Sequence, residues 1–514
     1  MNILKSSAIY SFFTFVSRIF GFIRDIIFAN FLGTGLIADV FYLAFRLPNT
    51  FRRIFSEGEF NSSFIPIYSK LINQTDIRNA NIFAGNVFLI LLFLTSIIVI
   101  IAEIFMPTFV SIFAPGFTRD VEKLDSLVVA SRIIFPFLIL ITMCSIFTSI
   151  LNAHSKFALS ASLPILLNIV LSSSVLFAYY AKYNILLSLS YGVIISGILQ
   201  LILLFFSVKK NKIKIFFFKS FYINGLKKFF RLFVPSIFSS GLLQINILIG
   251  TIIASYQSGA VSYLYYADRI YQLPLALIGI ALGITLLPNI SKQIKYSSTD
   301  EVFFTIEKTI IFALLLAIPS SVALYFLPNI IIEILFQRGS FDVLSTSSSA
   351  LALKYFALGL TAFILTKILT PIYFANEKPK PPLIFAIITV LTNTVLSIIL
   401  FNDYGYLGIA IATSISSWLN VILLYVHLSA AKLFSHSKKA IAPIIVIVIS
   451  SSLLGIALFI FEDFYYSLDI SSFFIKVSLL VLIIVISIFT YFVLISIYKP
   501  FTYASLKKEF LKNE

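Results

Sequence analysis

Long apolar stretches alternate with short polar ones along the whole chain, and this alternation predicts its secondary structure. A helix that crosses a membrane needs about 20 predominantly apolar residues. Fourteen stretches meet that length, at residues 8–32, 37–68, 82–106, 126–151, 158–181, 186–208, 229–255, 262–290, 303–327, 346–372, 382–401, 406–431, 440–461 and 473–498. Pro48 and Pro274 interrupt the helical pattern of the second and eighth stretches. The pattern predicts an all-α polytopic membrane protein with 14 transmembrane helices.

Composition supports a membrane protein. Of the 514 residues, 59% are hydrophobic and only 12% are charged, whereas about a quarter of the residues are charged in a typical soluble domain. Cys144 is the only cysteine, and the three histidines are scattered near predicted helix ends. These residues do not form a ligand pattern for a metal, so neither a metal site nor a cofactor is expected.

The basic residues are distributed unevenly among the predicted loops. If the N-terminus is cytoplasmic, the inside segments hold 22 lysines and arginines, and the outside loops hold 4. The positive-inside rule then places both termini in the cytoplasm. Loop lysines orient membrane helices and attract anionic headgroups, so the net charge of +16 indicates membrane lipids rather than nucleic acid as partners.

Residues 209–228 form the densest basic cluster, with seven lysines. One interpretation is a site for a lipid headgroup or a partner protein. The interpretation favoured by the sequence is a cytoplasmic linker that orients the helices on either side of it.

The chain also repeats itself. Four short motifs recur in order at an offset of 222–225 residues, pairing Tyr42 with Tyr265, Pro66 with Pro288, Ala153 with Ala375 and Asn168 with Asn393. The offset covers six predicted helices, an even number, so both copies have the same orientation. Parallel repeats with substrate bound between them are a common transporter plan. The sequence therefore predicts an N-lobe of helices 1–6 (residues 1–208), the basic linker (209–228), a C-lobe of helices 7–12 (229–431), and helices 13–14 with a cytoplasmic tail (432–514).

Candidate chemistry is concentrated near the N-terminus. The first 53 residues contain five arginines, all in apolar stretches: Arg18, Arg24, Arg46, Arg52 and Arg53. An arginine at the bilayer centre costs about 2.5–3.5 kcal/mol on insertion scales, so it is kept only where it faces a wet cavity or a buried partner. Guanidinium groups bind phosphate oxygens in bidentate fashion and stay charged. Several together indicate a cavity for an anion.

The segments that carry these arginines read SRIFGFIRD (17–25), ADVFYLAFRLPN (38–49) and RRIFSEGEF (52–60). Further along are YYADR (265–269), FQRG (336–339) and WLN (418–420). In this order they strongly resemble the MurJ (MviN) lipid II flippase family, from about residue 6 to residue 430. The family is similar to the wider superfamily of multidrug, oligosaccharidyl-lipid and polysaccharide exporters, in which two six-helix lobes form a V.

The resemblance implies a function. Members of the family translocate lipid II, the undecaprenyl-pyrophosphate-linked peptidoglycan precursor, from the cytoplasmic to the outer leaflet of the bacterial cytoplasmic (inner) membrane. It therefore implies a transporter rather than an enzyme, working by alternating access in cell-wall biogenesis, with lipid II as its substrate and the cell-wall synthesis machinery as a candidate partner.

The resemblance also assigns candidate site residues. The pyrophosphate or its cavity would be contacted by four arginines: Arg18, Arg24, Arg52 and Arg269. The acidic residues that would hold these arginines or gate the cavity are Asp25, Asp39 and Glu57. An open alternative for each is a buried ion pair that fixes helix packing. No catalytic residue is expected.

Two other functions remain to be compared. An exporter of another polyprenyl-linked oligosaccharide or of a drug would share the architecture, but the arginines would repel a cationic drug. A membrane glycosyltransferase or phosphatase would need carboxylates or histidines placed for acid–base work, and the sequence has no such cluster.

Some family members bind Na⁺ through carboxylates in the second lobe. Gly250 and Ser397 occupy those positions here, so no sodium site is predicted, and the driving force is left open between membrane potential and protons.

Overall fold

The computed structural model describes residues 3–56, 59–74, 77–217, 223–437, 440–468, 470 and 472–497. All regular elements in these residues are helical. The α-helices are α1 (Ile3–Leu32), α2 (Leu36–Ser56), α3 (Glu59–Gln74), α4 (Ile77–Ile104), α5 (Met106–Phe113), α6 (Val121–Ile134), α7 (Phe137–Ala153), α8 (Phe157–Tyr180), α9 (Ile185–Lys210), α10 (Ile223–Ala254), α11 (Ala260–Pro274), α12 (Ala281–Tyr296), α13 (Thr299–Phe326), α14 (Pro328–Phe336), α15 (Val343–Ala375), α16 (Lys380–Tyr404), α17 (Tyr406–Ala430), α18 (Ile441–Ser467) and α19 (Phe473–Ser496). A 3₁₀ turn covers Pro115–Arg119, and a π-helical segment, Leu275–Ile280, joins α11 to α12.

Eleven helical stretches in the described part of the chain are long and apolar enough to cross a membrane. They coincide with the third to sixth and the eighth to fourteenth predicted spans. The other three predicted spans fall on α1, on α2 with α3, and on α10. The prediction of an all-helical polytopic membrane protein is confirmed, and the count of 14 stays a prediction.

The two prolines act differently from one another. Pro48 lies inside α2, which continues to Ser56, so the break predicted there is wrong. Membrane helices tolerate proline where neighbouring groups satisfy the freed carbonyl. Pro274, in contrast, ends α11, and the backbone continues as a π-helical segment before α12 begins. A π-helical turn is one of the usual ways in which a long helix absorbs a local irregularity.

The helix bounds repeat along the chain. Helices α4 and α13 begin at residues 77 and 299, α5 and α14 at 106 and 328, and α6 and α15 at 121 and 343. Each pair is therefore separated by 222 residues, the offset found between the sequence motifs. One difference is that Phe135 and Pro136 separate α6 from α7, whereas the corresponding α15 is continuous over 33 residues.

The chain divides into two compact units, Met1–Ser262 with Arg338–Phe341, and Tyr263–Gln337 with Asp342–Glu514. The first unit has an aromatic core in which Phe60, Phe64 and Tyr68 follow one another at a spacing of four residues, on one face of α3. The Phe64 ring stacks on Tyr68 at 5.2 Å and on Phe83 of α4 at 5.4 Å between centroids. Helix α15 has more buried residues than any other described helix of the second unit and packs against α12, α13, α14 and α17.

Candidate functional site

Arg24 lies on α1 and is held on two sides. Its side chain is only 7% exposed. Nε and Nη2 donate to Oδ1 of Asp25 at 3.1 and 2.6 Å, and Nη1 donates to Oδ1 of Asn168 at 3.0 Å. The guanidinium carbon lies 5.4 Å from the ring centroid of Phe28. A buried charge of this kind is stable only with such partners, and they also fix the direction of the guanidinium group.

Asn168 connects two helices at this point. It lies on α8, accepts the hydrogen bond from Arg24, and places its Nδ2 3.4 Å from the carbonyl oxygen of Ser17 on α1. Asn168 therefore hydrogen-bonds α8 to α1. Its specific role as a partner of Arg24 was missed, because 144 residues separate the two in the chain.

Asp39, on α2, is fully buried and forms a second polar cluster in the same unit. Its Oδ2 accepts from the backbone N–H of Gly259 at 2.7 Å. Its Oδ1 accepts from the backbone N–H and the hydroxyl of Ser262 at 3.0 and 2.6 Å. Asp39 therefore satisfies N–H groups at the first turn of α11, which have no partner within that helix.

The cation nearest to Asp39 in the described contacts is a lysine rather than an arginine. Nζ of Lys123 lies 4.0 Å from Oδ2 of Asp39 and donates to Oγ of Ser258 at 2.8 Å. The ammonium group also lies 5.1 Å from the ring centroid of Phe117. The resemblance assigned Asp39 to the arginines, and no local sequence pattern connects it to Lys123.

We expect Asp39→Asn to lower the free energy of unfolding by about 2 kcal/mol, because the new NH₂ would face either the N–H of Gly259 or the donors of Ser262 and leave a buried donor without an acceptor. Thermal or denaturant unfolding of the purified protein would measure the change.

The matched control is Asp342→Asn. Asp342 is exposed and caps α15 by accepting from the N–H of Ser345 at 2.7 Å. Hydrogen bonds from the hydroxyl and the N–H of Ser345 lower the pKa of this carboxyl. Asparagine caps helices about as well as aspartate, so this variant should unfold like the parent. Equal losses in both variants would contradict the role given to Asp39.

Arg46 and Arg269 each follow a repeat-related tyrosine, Tyr42 or Tyr265, by four residues. Each of these arginines donates a hydrogen bond to a hydroxyl group within its own unit. Arg269, on α11, is half-buried, and its Nη2 donates to the hydroxyl of Tyr265 at 2.9 Å. Its guanidinium carbon lies 4.7 Å from the Tyr265 ring centroid. Arg46 of α2 donates from Nη1 to the hydroxyl of Thr251. The spacing of four residues places Tyr265 and Arg269 on one helix face.

The remaining candidates are placed as follows. Arg18 is exposed on α1, six residues before Arg24. The side chain of Arg52 and all of Glu57 lie outside the described residues. The structure thus brings Arg24, Asp25 and Asn168 together and places Asp39 in a separate cluster. Within the described ranges, no group of three or more His, Cys, Asp or Glu side chains is arranged to hold a metal.

A multi-pass helical fold, a repeated helix order and a buried, oriented arginine in the first helix define a membrane transporter. Comparisons with known proteins identify the family of transporters to which it belongs. The family described as "Lipid II flippase MurJ" matches residues 28–507, and the chain belongs to this family.

A relative named "Probable lipid II flippase MurJ" from Rhizobium tropici is 39% identical over 432 residues, which cover 83% of this chain and 81% of that protein. A solved structure titled "Lipid II flippase MurJ, inward closed conformation" is similar with a TM-score of 0.79 and 28% identity, over 95% of this chain and 98% of that one. An inward-facing MATE-family multidrug resistance transporter of the MOP superfamily has the same fold, with a TM-score of 0.68 and 15% identity over 81% of this chain and 95% of that one. The predicted family is confirmed, and with it a transporter of the bacterial inner membrane rather than an enzyme.

Proposed function

We propose that this chain is a lipid II flippase, which carries the undecaprenyl-pyrophosphate-linked peptidoglycan precursor from the cytoplasmic to the outer leaflet. The observation that carries the proposal is Arg24, a buried guanidinium oriented by Asp25 and Asn168 inside a membrane-protein fold. A pyrophosphate is a dense anion, and a pre-oriented guanidinium recognises it by charge-assisted, bidentate hydrogen bonds. Family membership over residues 28–507 specifies which lipid-linked pyrophosphate.

Each candidate residue has a part in this proposal. Arg24, Arg52 and Arg269 bind the pyrophosphate, and Arg18 lines the same cavity. Asp25 orients Arg24, and Asp39 and Glu57 serve in gating. The lipid tail stays in the bilayer while the headgroup crosses, so no covalent bond changes. Substrate binding only shifts the equilibrium between the two access states, because the substrate has a different affinity for each of them.

The proposed architecture has 14 transmembrane helices, with both termini in the cytoplasm. Its support is the 222-residue recurrence of the helix bounds, together with the excess of basic residues in alternate loops. In this arrangement α1, α2 with α3, and α10 cross the membrane in addition to the eleven apolar stretches. The lobes are residues 1–208 and 229–431, joined by the linker 209–228 and arranged in a V. Residues 432–514 add two helices and a tail, and the cell-wall synthesis machinery is the proposed partner.

An exporter of another polyprenyl-linked oligosaccharide is the second candidate, because the MATE neighbour shows that one fold accommodates different substrates. Such a substrate has the same pyrophosphate but a different sugar headgroup. Binding of lipid II in competition with an undecaprenyl-pyrophosphate that lacks the peptide would separate the two.

The direct test is complementation of a conditional flippase-depletion strain. We expect the wild-type chain to restore growth and to restore lipid II at the outer leaflet, measured as the fraction that an added hydrolase cleaves in intact cells. Growth failure with normal amounts of the protein in the membrane would refute the lipid II proposal.

A further inference from the structure

A basic cavity of about 390 Å³ lies in the first unit. The segments that line it are distant in the sequence from Arg24 and Asp39. It is lined by Ile77, Arg78, Asn81, Lys212, Lys214 and Phe216. Three of these six residues carry a positive charge, and the lining residues contain no carboxylate. The cavity opens broadly to the molecular surface.

The cavity is built where α4 begins and α9 ends. After α9 the chain turns at Lys212, whose φ is 57°, and then passes along the first turns of α4, where the N–H of Phe216 lies 3.4 Å from the carbonyl oxygen of Asn81. A Cβ at Gly85 would lie 2.1 Å from the carbonyl oxygen of Phe216. Only glycine permits this approach of the two backbones, so the linker segment packs directly against α4.

The alternation of residues in this segment sets which side chains line the cavity. Ile213 and Ile215 are partly buried and pack against the aromatic core around Phe60 and Phe83. Lys212 and Lys214 are exposed. Burial of the two isoleucines against the core leaves both lysines exposed, at the cavity that Arg78 also lines.

The length of α4 indicates that the cavity lies outside the hydrocarbon core of a membrane. Helix α4 has 28 residues, or about 42 Å at 1.5 Å per residue, and therefore extends beyond the roughly 30 Å of hydrocarbon. The cavity is lined by the first turns of α4, which precede the apolar stretch 82–106, and by the segment that follows α9, so we expect the basic residues at headgroup depth. Phe217, 42% exposed, packs its ring 5.2 Å from that of Phe88 beside the cavity.

We propose that this cavity is a binding site for the phosphate of an anionic phospholipid headgroup, formed when residues 212–216 seat on α4. Lysine ammonium groups and the guanidinium of Arg78 supply the charge that a phosphate diester needs. Phe217 offers an apolar surface to the acyl region of the same lipid. The site shares no residue with the proposed pyrophosphate site, and it attaches the linker between the repeats to the membrane surface.

Native mass spectrometry of the delipidated full-length protein in detergent tests the proposal, with phosphatidylglycerol, phosphatidylcholine and inorganic phosphate as probes. We expect preferential retention of phosphatidylglycerol. The double variant Lys212→Gln/Lys214→Gln should bind its tightest phosphatidylglycerol about 30-fold more weakly, since each basic residue near an anionic surface contributes roughly fivefold. Lys212→Arg/Lys214→Arg keeps the charge and should bind like the wild type.

The matched control is Lys292→Gln/Lys295→Gln, which removes two exposed lysines near the end of α12, outside this cavity. It should leave the tightest site unchanged. Equal weakening by both double variants would mean that total charge governs binding and would overturn the proposal. Phosphatidylglycerol binding that millimolar inorganic phosphate abolishes would assign the cavity to free phosphate and also overturn it.

Complementation separates this proposal from the transport function. Lys212→Gln/Lys214→Gln should still rescue the flippase-depleted strain, because its residues lie outside the proposed pyrophosphate site. Loss of phosphatidylglycerol retention with rescue intact supports the lipid site on its own, and unchanged retention contradicts it whether or not the chain transports lipid II.

Discussion

Replacement of Arg24 by alanine is expected to abolish rescue of a flippase-depleted strain and to weaken lipid II binding by about 10- to 150-fold. The reason is the loss of a charged donor that makes hydrogen bonds worth about 1.5–3 kcal/mol each. Arg24 is buried and already oriented by Asp25 and Asn168, so little ordering is needed when an anion binds. Binding is measured by native mass spectrometry with purified lipid II, and transport by hydrolase access in cells.

The alanine variant also leaves Asp25 as a buried carboxylate without its 2.6 Å partner, and removal of one member of a buried pair is destabilising by itself. Arg24→Ala/Asp25→Asn removes this excess charge. We expect the double variant to regain membrane abundance but not transport. Recovery of transport in the double variant would show that Arg24 serves only to neutralise Asp25. Arg24→Lys should restore charge but not bidentate geometry, and therefore only part of the binding.

Arg269→Ala is the second large effect that we expect, with loss of rescue and a lowered affinity for lipid II of similar size. The second unit contains this arginine beside Tyr265, with its guanidinium carbon 4.7 Å from the ring centroid. The hydroxyl and the aromatic face of Tyr265 orient the guanidinium, as Asp25 and Asn168 orient that of Arg24.

Tyr265→Phe is the matched control, since it removes the 2.9 Å hydrogen bond but keeps the ring beneath the guanidinium. We expect it to retain growth rescue with a reduction in affinity of less than about tenfold, because the lost hydrogen bond orients Arg269 but does not itself bind the ligand. Full activity of Arg269→Ala, with normal abundance, would remove Arg269 from the proposed site. A loss in Tyr265→Phe as large as in Arg269→Ala would indicate a structural role for the pair.

Much of the fold was predictable because membrane helices are specified locally. Apolar length marks each span, and eleven predicted spans coincide with apolar helices in the described chain. Prolines were less informative: Pro48 does not interrupt α2 and Pro274 does end α11. The difference depends on whether surrounding groups satisfy the freed carbonyl, which a single sequence does not reveal.

By itself, the sequence determined the class of protein, the internal repeat and the identity of the unusual arginines, because each depends on residue type and spacing within one segment. Only the tertiary structure decided the partners of those residues. In the structure Arg24 hydrogen-bonds to Asn168, and Asp39 contacts the start of α11 and Lys123. Lys212 and Lys214 line one cavity together with Arg78. Buried polar groups must find hydrogen-bonding partners wherever packing brings them, and packing joins segments that are far apart in the chain.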